Sequence, residues 1–210
     1  MLEFSPLCLA RLNKDDMFSA ILDNVDTIHL DIMDGEFVPN TAFTVNEINN
    51  FECNIPKHVH IMSWHPMQFI KDLINVDSIS FHCEVENCEK IIRYIKKKGI
   101  KAGLVINPKT PISSLFKYIP MIDRVIIMAV EPGYSAQKYL PNTSNKIKKL
   151  RDYCSNIEIS IDGGMNETTI KNVKELGADA FVVCSVIAKS NNVKDKIEEL
   201  KNIWSNKSKP

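Results

Sequence analysis

Two histidines and two aspartates stand at the ends of apolar runs in this sequence. His29 and Asp31 end one run, His60 lies near the end of a second, and Asp162 follows a third. Imidazole nitrogen and carboxylate oxygen are typical ligands of zinc and, nearly as well, of manganese, cobalt or ferrous iron. If the runs are neighbouring parallel strands, the four groups converge and can bind one divalent cation. The two carboxylates can also move protons.

Short β-branched runs alternate with longer segments in which apolar residues recur every three or four positions, which predicts strands followed by helices. The predicted strands are residues 4–9, 27–31, 57–62, 78–82, 101–106, 124–129, 158–161 and 180–184. The predicted helices are residues 16–23, 66–75, 88–98, 144–153, 167–176 and 193–204. Eight strands in 210 residues favour an α/β fold, a single-domain (β/α)8 TIM barrel, over an open doubly wound sheet.

The domain is expected to span residues 1–210, because no linker rich in proline, glycine or serine divides the chain. Residues 39–54 have too few periodic positions for a helix and are expected to form a loop with one or two turns. The polar residues 206–210 are expected to be a frayed tail.

Composition narrows the class of partner. Lysine plus arginine equals aspartate plus glutamate at 26 each. The chain therefore has no net positive charge that would favour binding to a nucleic acid or an anionic membrane. A small ligand in a cleft suits this balance better. The six cysteines form no CxxC pair, which is typical of reduced thiols in a cytoplasmic protein. Because the sequence shows no signal peptide and no run of about 18 apolar residues, we expect neither secretion nor membrane insertion.

The active site of such a barrel lies at the carboxyl ends of its strands, where all four residues are predicted to lie. Asp31 follows His29 by two positions, so both side chains point to the same face of the strand, which in a barrel is the interior. A single histidine at a strand end is more often a hydrogen-bonded core residue than a ligand. Four such groups at the same ends of three strands shift the balance towards a metal site.

Loops able to hold an anionic group follow the last three predicted strands. They are residues 131–137, 162–164 and 184–185, and three glycines lie among them. Loops after the seventh and eighth strands are the usual phosphate site of this barrel, since their backbone N–H groups point at the ligand. The glycines alone would be explained by tight turns. The loops together, beside a carboxylate, favour a phosphorylated substrate.

Six segments together resemble the ribulose-phosphate 3-epimerase family, in order over nearly the whole chain. They are residues 29–40 (HLDIMDGEFVPN), 58–62 (HVHIM), 81–84 (FHCE), 103–111 (GLVINPKTP), 128–137 (MAVEPGYSAQ) and 161–166 (IDGGMN). The resemblance implies a (β/α)8 isomerase of the pentose phosphate pathway that uses a divalent metal to invert a ketopentose phosphate at C3. Its substrates would be ribulose 5-phosphate and xylulose 5-phosphate.

The resemblance also implies roles for particular residues. The implied metal ligands are His29, Asp31, His60 and Asp162, and the implied catalytic acid and base are Asp31 and Asp162. Zn²⁺ is the first expectation for the cation, with Fe²⁺, Mn²⁺ and Co²⁺ as alternatives. The implied substrate-binding residues are Ser5 and His60 at the sugar, Met33, Met62 and Met128 at the reacting carbon, and Gly133, Tyr134, Ser135, Ala136, Gly163, Gly164, Cys184 and Ser185 at the phosphate. The expected assembly is a homo-oligomer.

The chemistry of epimerisation explains why two carboxylates are needed. A proton on the carbon beside a ketone is too weakly acidic for a carboxylate to remove unless the developing negative charge is stabilised, which a cation can do. The proton must leave one face of the carbon and another must return on the opposite face. Asp31 and Asp162 come from different strands, so each can serve one face, with one ionised while the other is protonated.

The sequence departs from the family pattern near the predicted phosphate site. Ser135 and Ala136 replace two glycines, and Cys184 replaces a glycine after the last strand. Trp64 also lies in a segment that usually begins with valine. These departures leave two alternatives open. One is a 3-epimerase of a hexulose phosphate such as allulose 6-phosphate, and the other is a catalytically silent phosphate-binding barrel.

Overall fold

The computed structural model describes residues 1–9, 16–134 and 136–205, so the predicted tail at 206–210 lies outside the described residues. The strands are β1 (Leu2–Phe4), β2 (Thr27–Met33), β3 (Lys57–Met62), β4 (Ser78–His82), β5 (Lys101–Ile106), β6 (Arg124–Met128), β7 (Glu158–Asp162) and β8 (Ala180–Val183). The α-helices are α1 (Asp16–Leu22), α2 (Val45–Asn50), α3 (Met67–Ile70), α4 (Cys88–Lys97), α5 (Asn142–Tyr153), α6 (Glu167–Glu175), α7 (Ser185–Ala188) and α8 (Val193–Ser205). The 3₁₀ segments are Pro6–Leu9 and Ile112–Met121.

The strands form one closed parallel barrel in chain order. β1 pairs with β2 on one side and with β8 on the other, which closes the sheet. Each strand is followed by a helix or a 3₁₀ segment, as parallel neighbours require a crossover connection. The prediction of a single-domain TIM barrel is therefore confirmed.

The first predicted strand is wrong in its extent. The apolar pattern predicted a strand over residues 4–9, but β1 ends at Phe4 and the following Pro6–Leu9 form a 3₁₀ segment. Pro6 has no backbone N–H with which to continue the ladder, so the strand ends before it. The other strand boundaries differ from the predicted ones by two residues at most.

Two connections also differ from the sequence-based expectation. Residues 39–54, expected to be a loop with turns, contain α2. Thr44 caps this helix: its hydroxyl accepts the Glu47 N–H, and the Glu47 carboxylate accepts the Thr44 N–H. This T-x-x-E capping box was the signal that the prediction missed. Conversely, the helix predicted over residues 66–75 is reduced to the single turn Met67–Ile70.

The alternation of side chains along β2 shows how the barrel separates core from site. Ile28, Leu30 and Ile32 belong to the apolar cluster that also contains the buried faces of the helices. His29 and Asp31 alternate with them and therefore face the barrel interior. Apolar packing outside the sheet thus holds polar side chains inside it.

The interior beneath the site is filled by a buried polar network. Glu3 Oε1 accepts a hydrogen bond from Arg124 Nη2 at 2.6 Å. His58 Nε2 lies 2.8 Å from Ser80 Oγ. A Cβ on Gly103 would lie 2.2 Å from Ser80 Oγ and 2.7 Å from Arg124 Cγ, so glycine leaves the space that this network occupies. The barrel interior on this side of the site is therefore filled by packed polar side chains and is not a pore.

Two further observations concern the helices and the cysteines. Within residues 1–9, 16–134 and 136–205, no helix has the length and apolar character needed to cross a membrane. The cysteines 8, 53, 83, 88, 154 and 184 are all free thiols.

Candidate active site

The structure brings together the four residues that the sequence singled out. His29 and Asp31 lie on β2, His60 lies beside Asp31 on β3, and Asp162 ends β7. His29 Nε2 is 3.3 Å from Asp31 Oδ1 and 3.7 Å from Asp162 Oδ2. His60 Nδ1 is 3.2 Å from Asp31 Oδ1 and 3.6 Å from Asp162 Oδ2. We call these four side chains the His–Asp cluster.

The His–Asp cluster fits a divalent cation. Its four ligand atoms lie within 4.8 Å of one another, and atoms bound to one tetrahedral zinc at about 2.0–2.1 Å lie about 3.3 Å apart. His29 Nε2 and His60 Nδ1 are buried and make no hydrogen bond of good geometry within the described residues, which is costly unless a proton or a cation satisfies them. Zinc, manganese, cobalt and ferrous iron all accept this donor set.

Protons on the imidazoles balance the cluster before a cation binds. Burial by itself lowers the pKa of His29, but the charge of Asp31 outweighs it and raises that pKa to about 10. Burial likewise lowers the pKa of His60, but the facing carboxylates of Asp162 and Asp31 outweigh it and raise that pKa. For Asp31, burial raises the pKa, yet the charge of His29 holds it well below its usual range. A cation that binds here must therefore displace imidazole protons.

Glu3 orients His29 from below. Its Oε2 lies 3.3 Å from His29 Nδ1. Burial alone would raise the pKa of Glu3, but the charge of Arg124 lowers it well below the usual value, so Glu3 is ionised and accepts the Nδ1–H. This hydrogen bond leaves His29 Nε2 facing the carboxylates, as in the carboxylate–histidine pairs of metal sites.

Two further ionisable residues lie behind His60. Burial lowers the pKa of His82 to about 4, so its ring is neutral at pH 7. For Glu84, burial raises the pKa, but the facing His82 ring and the hydrogen bond from Thr110 outweigh it and lower the pKa to about 2. The chain of contacts therefore runs from a neutral ring to an ionised carboxylate.

The cluster forms the floor of a cavity of about 450 Å³, a usual size for a small-ligand site. Asp31 and Asp162 line this cavity, whereas His29 and His60 are fully buried beneath it. The predicted substrate-binding residues that line it are Ser5, Met33, Met62, Met128, Gly133, Tyr134, Ala136, Gly163, Gly164, Cys184 and Ser185. His60 lies beneath the floor rather than in the lining, and Ser135 lies outside the described residues.

Ser5 and three methionines line the cavity together with the carboxylates. Ser5 Oγ donates to Asp31 Oδ2 at 2.8 Å, which occupies one oxygen of Asp31 while the other faces the imidazoles. Met33, Met62 and Met128 are buried. Their thioethers fill irregular space and carry no exchangeable proton, so they can exclude water from a reacting carbon.

The glycines after β7 are required by the backbone itself. Gly163 and Gly164 have φ values of 98° and 68°. A Cβ would lie 2.3 Å from Val130 Cγ2 in the first case and 2.5 Å from the Tyr139 backbone nitrogen in the second. The tight-turn explanation therefore holds for both residues. Their backbone nevertheless lines the cavity, so a phosphate role is compatible with it.

The departures from the family pattern take specific forms. Cys184 Sγ accepts the Cys8 N–H at 3.1 Å. The interaction with the Cys8 thiol, followed by burial, outweighs this N–H and raises the pKa of the Cys184 thiol, so Cys184 adds no negative charge beside a phosphate. Ala136 adopts φ 60°, the left-handed region that costs an alanine about 1–2 kcal/mol.

Trp64 packs on Phe37 with ring centroids 4.7 Å apart and is not among the residues that line the cavity.

Several lining residues were missed by the sequence analysis. Lys138, Asn166 and Lys189 reach the cavity from the loop after β6, the cap of α6 and the residue after α7. Two of them bring positive charge to the end where the glycine loops lie. No spacing rule marks a lysine for such a role, because most lysines near helix ends face solvent.

Relatives of known name support a family assignment. A sequence model described as the ribulose-phosphate 3 epimerase family matches residues 2–188. The chain is 34% identical over 183 residues to a ribulose-phosphate 3-epimerase of Chlamydia muridarum, covering 81% of this chain and 80% of that protein. It is 31% identical over 203 residues to a ribulose-phosphate 3-epimerase of Escherichia coli K12, covering 92% of this chain and 90% of that protein. The resemblance seen in the sequence is thereby confirmed.

Solved structures resemble the chain in fold. A 3-hexulose-6-phosphate synthase superposes with a TM-score of 0.69 at 12% identity, covering 97% of this chain and 99% of that one. An orotidine 5'-phosphate decarboxylase from Pyrococcus horikoshii superposes with a TM-score of 0.67 at 12% identity, covering 98% of this chain and 100% of that one. At such identities the likeness shows the barrel alone. With the family match over nearly the whole chain, this protein belongs to the ribulose-phosphate 3-epimerase family, whose members are isomerases.

Proposed function

We propose that this protein is a metal-dependent 3-epimerase that interconverts D-ribulose 5-phosphate and D-xylulose 5-phosphate. The observation that carries the proposal is the position of Asp31 and Asp162. Both carboxylates face the cavity and both belong to one cluster able to hold a cation. The printed names of the relatives support the pentose phosphate as substrate.

The four residues of the His–Asp cluster would hold the cation. When bound, a divalent cation supplies positive charge that stabilises the negative charge developing on the ketone side of the substrate. The protein's own contribution is to fix the ligands before the substrate arrives. Glu3 holds the ring of His29, and the barrel backbone sets Asp31 beside His60.

Asp31 and Asp162 are proposed as the two bases. The ionised one removes the proton at C3, and the other, protonated, returns a proton to the opposite face. The reverse reaction exchanges their roles, so each must serve both as acid and as base. Asp31 comes from β2 and Asp162 from β7, which lets the two carboxylates approach the carbon from different walls of the cavity.

The other end of the cavity is proposed to hold the phosphate. Gly163, Gly164 and Ser185 present backbone along it, and Lys138 and Lys189 bring positive charge. Backbone N–H groups and lysine ammonium groups both bind phosphate oxygens. The distance between this end and the carboxylates then selects the length of the sugar.

A deuterium-exchange NMR experiment tests the function. Purified protein is incubated in D₂O with ribulose 5-phosphate, and incorporation at C3 is followed beside the appearance of xylulose 5-phosphate. We expect both in the native protein. Asp31→Asn and Asp162→Asn should each reduce exchange by at least about 10²-fold, while circular dichroism shows a folded barrel. Exchange at the native rate in either variant would contradict the two-base mechanism.

Chelation and a second substrate complete the test. Removal of metal should abolish turnover, and zinc, manganese, cobalt or ferrous iron should restore it. Turnover by rigorously metal-free protein would refute the metal requirement. Allulose 6-phosphate is tested in parallel. Faster exchange with this substrate would identify the hexulose phosphate alternative, and no exchange with either would favour the silent phosphate-binding barrel.

Location and assembly are also proposals. The free thiols suit a reducing compartment such as the cytoplasm. We expect a homo-oligomer, as the family resemblance implied. Light scattering of the purified protein measures its assembly directly.

A further inference from the structure

A chain of contacts runs from His60 to a carboxylate through residues that do not line the cavity. His60 Nε2 lies 3.0 Å from His82 Nε2. His82 Nδ1 lies 3.4 Å from Glu84 Oε2, a charge contact that is not aligned as a hydrogen bond. The other oxygen, Glu84 Oε1, accepts the Asn107 backbone N–H at 3.0 Å and the Thr110 hydroxyl at 2.5 Å. Both imidazole rings are fully buried, so neither can exchange these partners for bulk water.

The charge of the carboxylate determines which nitrogen of each ring carries a proton. An ionised carboxylate oxygen attracts an N–H and repels a nitrogen lone pair, so the neutral His82 ring carries its proton on Nδ1, and its Nε2 must then accept. Two facing ring nitrogens bond only if one donates, so His60 must donate from Nε2. Its Nδ1, the atom that faces Asp31 and Asp162, is then the nitrogen that binds a cation, and a proton on this atom is the one that the cation displaces.

We propose that Glu84, acting through His82, is a positioning residue that sets the tautomer of His60 and so prepares Nδ1 as a metal ligand. This inference rests on the proposed function, because it assumes a cation at the His–Asp cluster. Glu3 does the same for His29 by a direct contact. Each histidine of the cluster is thus fixed by its own carboxylate, one directly and one through an intervening ring.

The variant Glu84→Gln tests the direction of the chain at nearly constant volume. The fixed donor Asn107 N–H and the Thr110 hydroxyl require the amide oxygen at the Oε1 position. The amide NH₂ then faces His82 Nδ1, and Nδ1 must accept a hydrogen bond from it. His82 would have to donate from Nε2, and His60 would have to carry its proton on Nδ1, where it opposes a cation. The opposite amide orientation would place the amide NH₂ against the Asn107 N–H, so that two donors would face each other.

The variant Glu84→Ala is the matched comparison. It removes the same charge, but the space it leaves can admit water, since the Glu84 side chain is 16% exposed. Water can accept the His82 Nδ1–H and preserve the tautomers. Thr110→Val is a second control, because it removes a bond to Oε1 and leaves the contact of Oε2 with His82. A role in packing alone predicts that alanine is worse than glutamine. The tautomer role predicts the reverse.

Affinity for Co²⁺, measured by competition with a coloured chelator, gives the first readout. We expect about 10- to 100-fold weaker binding in Glu84→Gln than in the native protein, a smaller loss in Glu84→Ala, and native affinity in Thr110→Val. Binding by Glu84→Gln that equals or exceeds that of Glu84→Ala would overturn the proposal.

Long-range ¹H–¹⁵N NMR of the metal-free protein gives a second readout that needs no cation. His82 should be the Nδ1–H tautomer in the native protein, and an Nε2–H tautomer there would overturn the proposal. If the native protein fails to bind Co²⁺ while His82 has the expected tautomer, the metal part of the proposed function fails and the tautomer relay stands.

Discussion

Binding of a divalent cation to the His–Asp cluster is expected to release protons. Before binding, the charge of Asp31 holds His29 in its protonated form up to a pKa of about 10, and the pKa of His60 is raised as well. A metal needs the lone pair of each imidazole, so each bound cation must expel the proton from both. At pH 7 we expect about one to two protons released per cation.

The pKa of His29 gives the size of the pH effect on cation affinity. A pKa of about 10 lies about three units above pH 7, and each unit corresponds to 1.36 kcal/mol, so deprotonation costs about 4 kcal/mol. Protonation of this one ring therefore makes the apparent affinity for the cation at pH 7 about 10³-fold weaker than the affinity at a pH where the ring is neutral. As pH rises towards 10, affinity should increase about tenfold per unit for each ring that is still protonated, and it should fall by the same factor as pH is lowered.

Isothermal titration of Co²⁺ measures this directly. The binding enthalpy is recorded at pH 7 in several buffers that differ in ionisation enthalpy, and the slope gives the number of protons released. Competition with a chelator of known pH dependence gives the affinity at each pH. A slope near zero together with pH-independent affinity would refute the reasoning, because it would show imidazoles that are already neutral in the metal-free protein.

Other substitutions test the scaffold through urea unfolding. Gly164→Ala should lower the free energy of unfolding by about 2–4 kcal/mol, because its Cβ meets the Tyr139 backbone at 2.5 Å in a left-handed conformation. Gly99→Ala is the control: φ is 77° but no atom lies within 4 Å of the added Cβ, so only about 1–2 kcal/mol of strain is expected. Arg124→Met should cost about 3–5 kcal/mol, because it removes the cation that is paired with the buried Glu3 carboxylate. An equal loss in the two glycine variants, or a native value for Arg124→Met, would contradict these assignments.

Local sequence patterns were sufficient for most of the barrel. The strand at Lys101–Ile106 was predicted with its observed bounds, because a buried parallel strand is a nearly continuous apolar run that ends where polar loops begin. The first strand was misjudged because apolar residues 4–9 look the same whether they extend a ladder or turn. Only the neighbouring strands decide where hydrogen-bond partners end.

The convergence of His29, Asp31, His60 and Asp162 was also accessible from sequence. Carboxyl ends of parallel strands meet at one face of a barrel, so residues at strand ends are brought together by topology alone. The structure then added their distances and burial. It placed His60 beneath the cavity floor rather than in its lining, which no pattern of residue types could show.

By itself, the sequence determined the barrel, the residues at its strand ends and the family, since each depends on short-range periodicity or on motifs contiguous in the chain. Only the tertiary structure decided which groups orient the cluster. Glu3 meets His29 across 26 positions, and His60 meets His82 across 22. Such contacts depend on strand register and side-chain direction around a closed sheet. The charges and hydrogen bonds at these contacts set which imidazole nitrogen carries a proton.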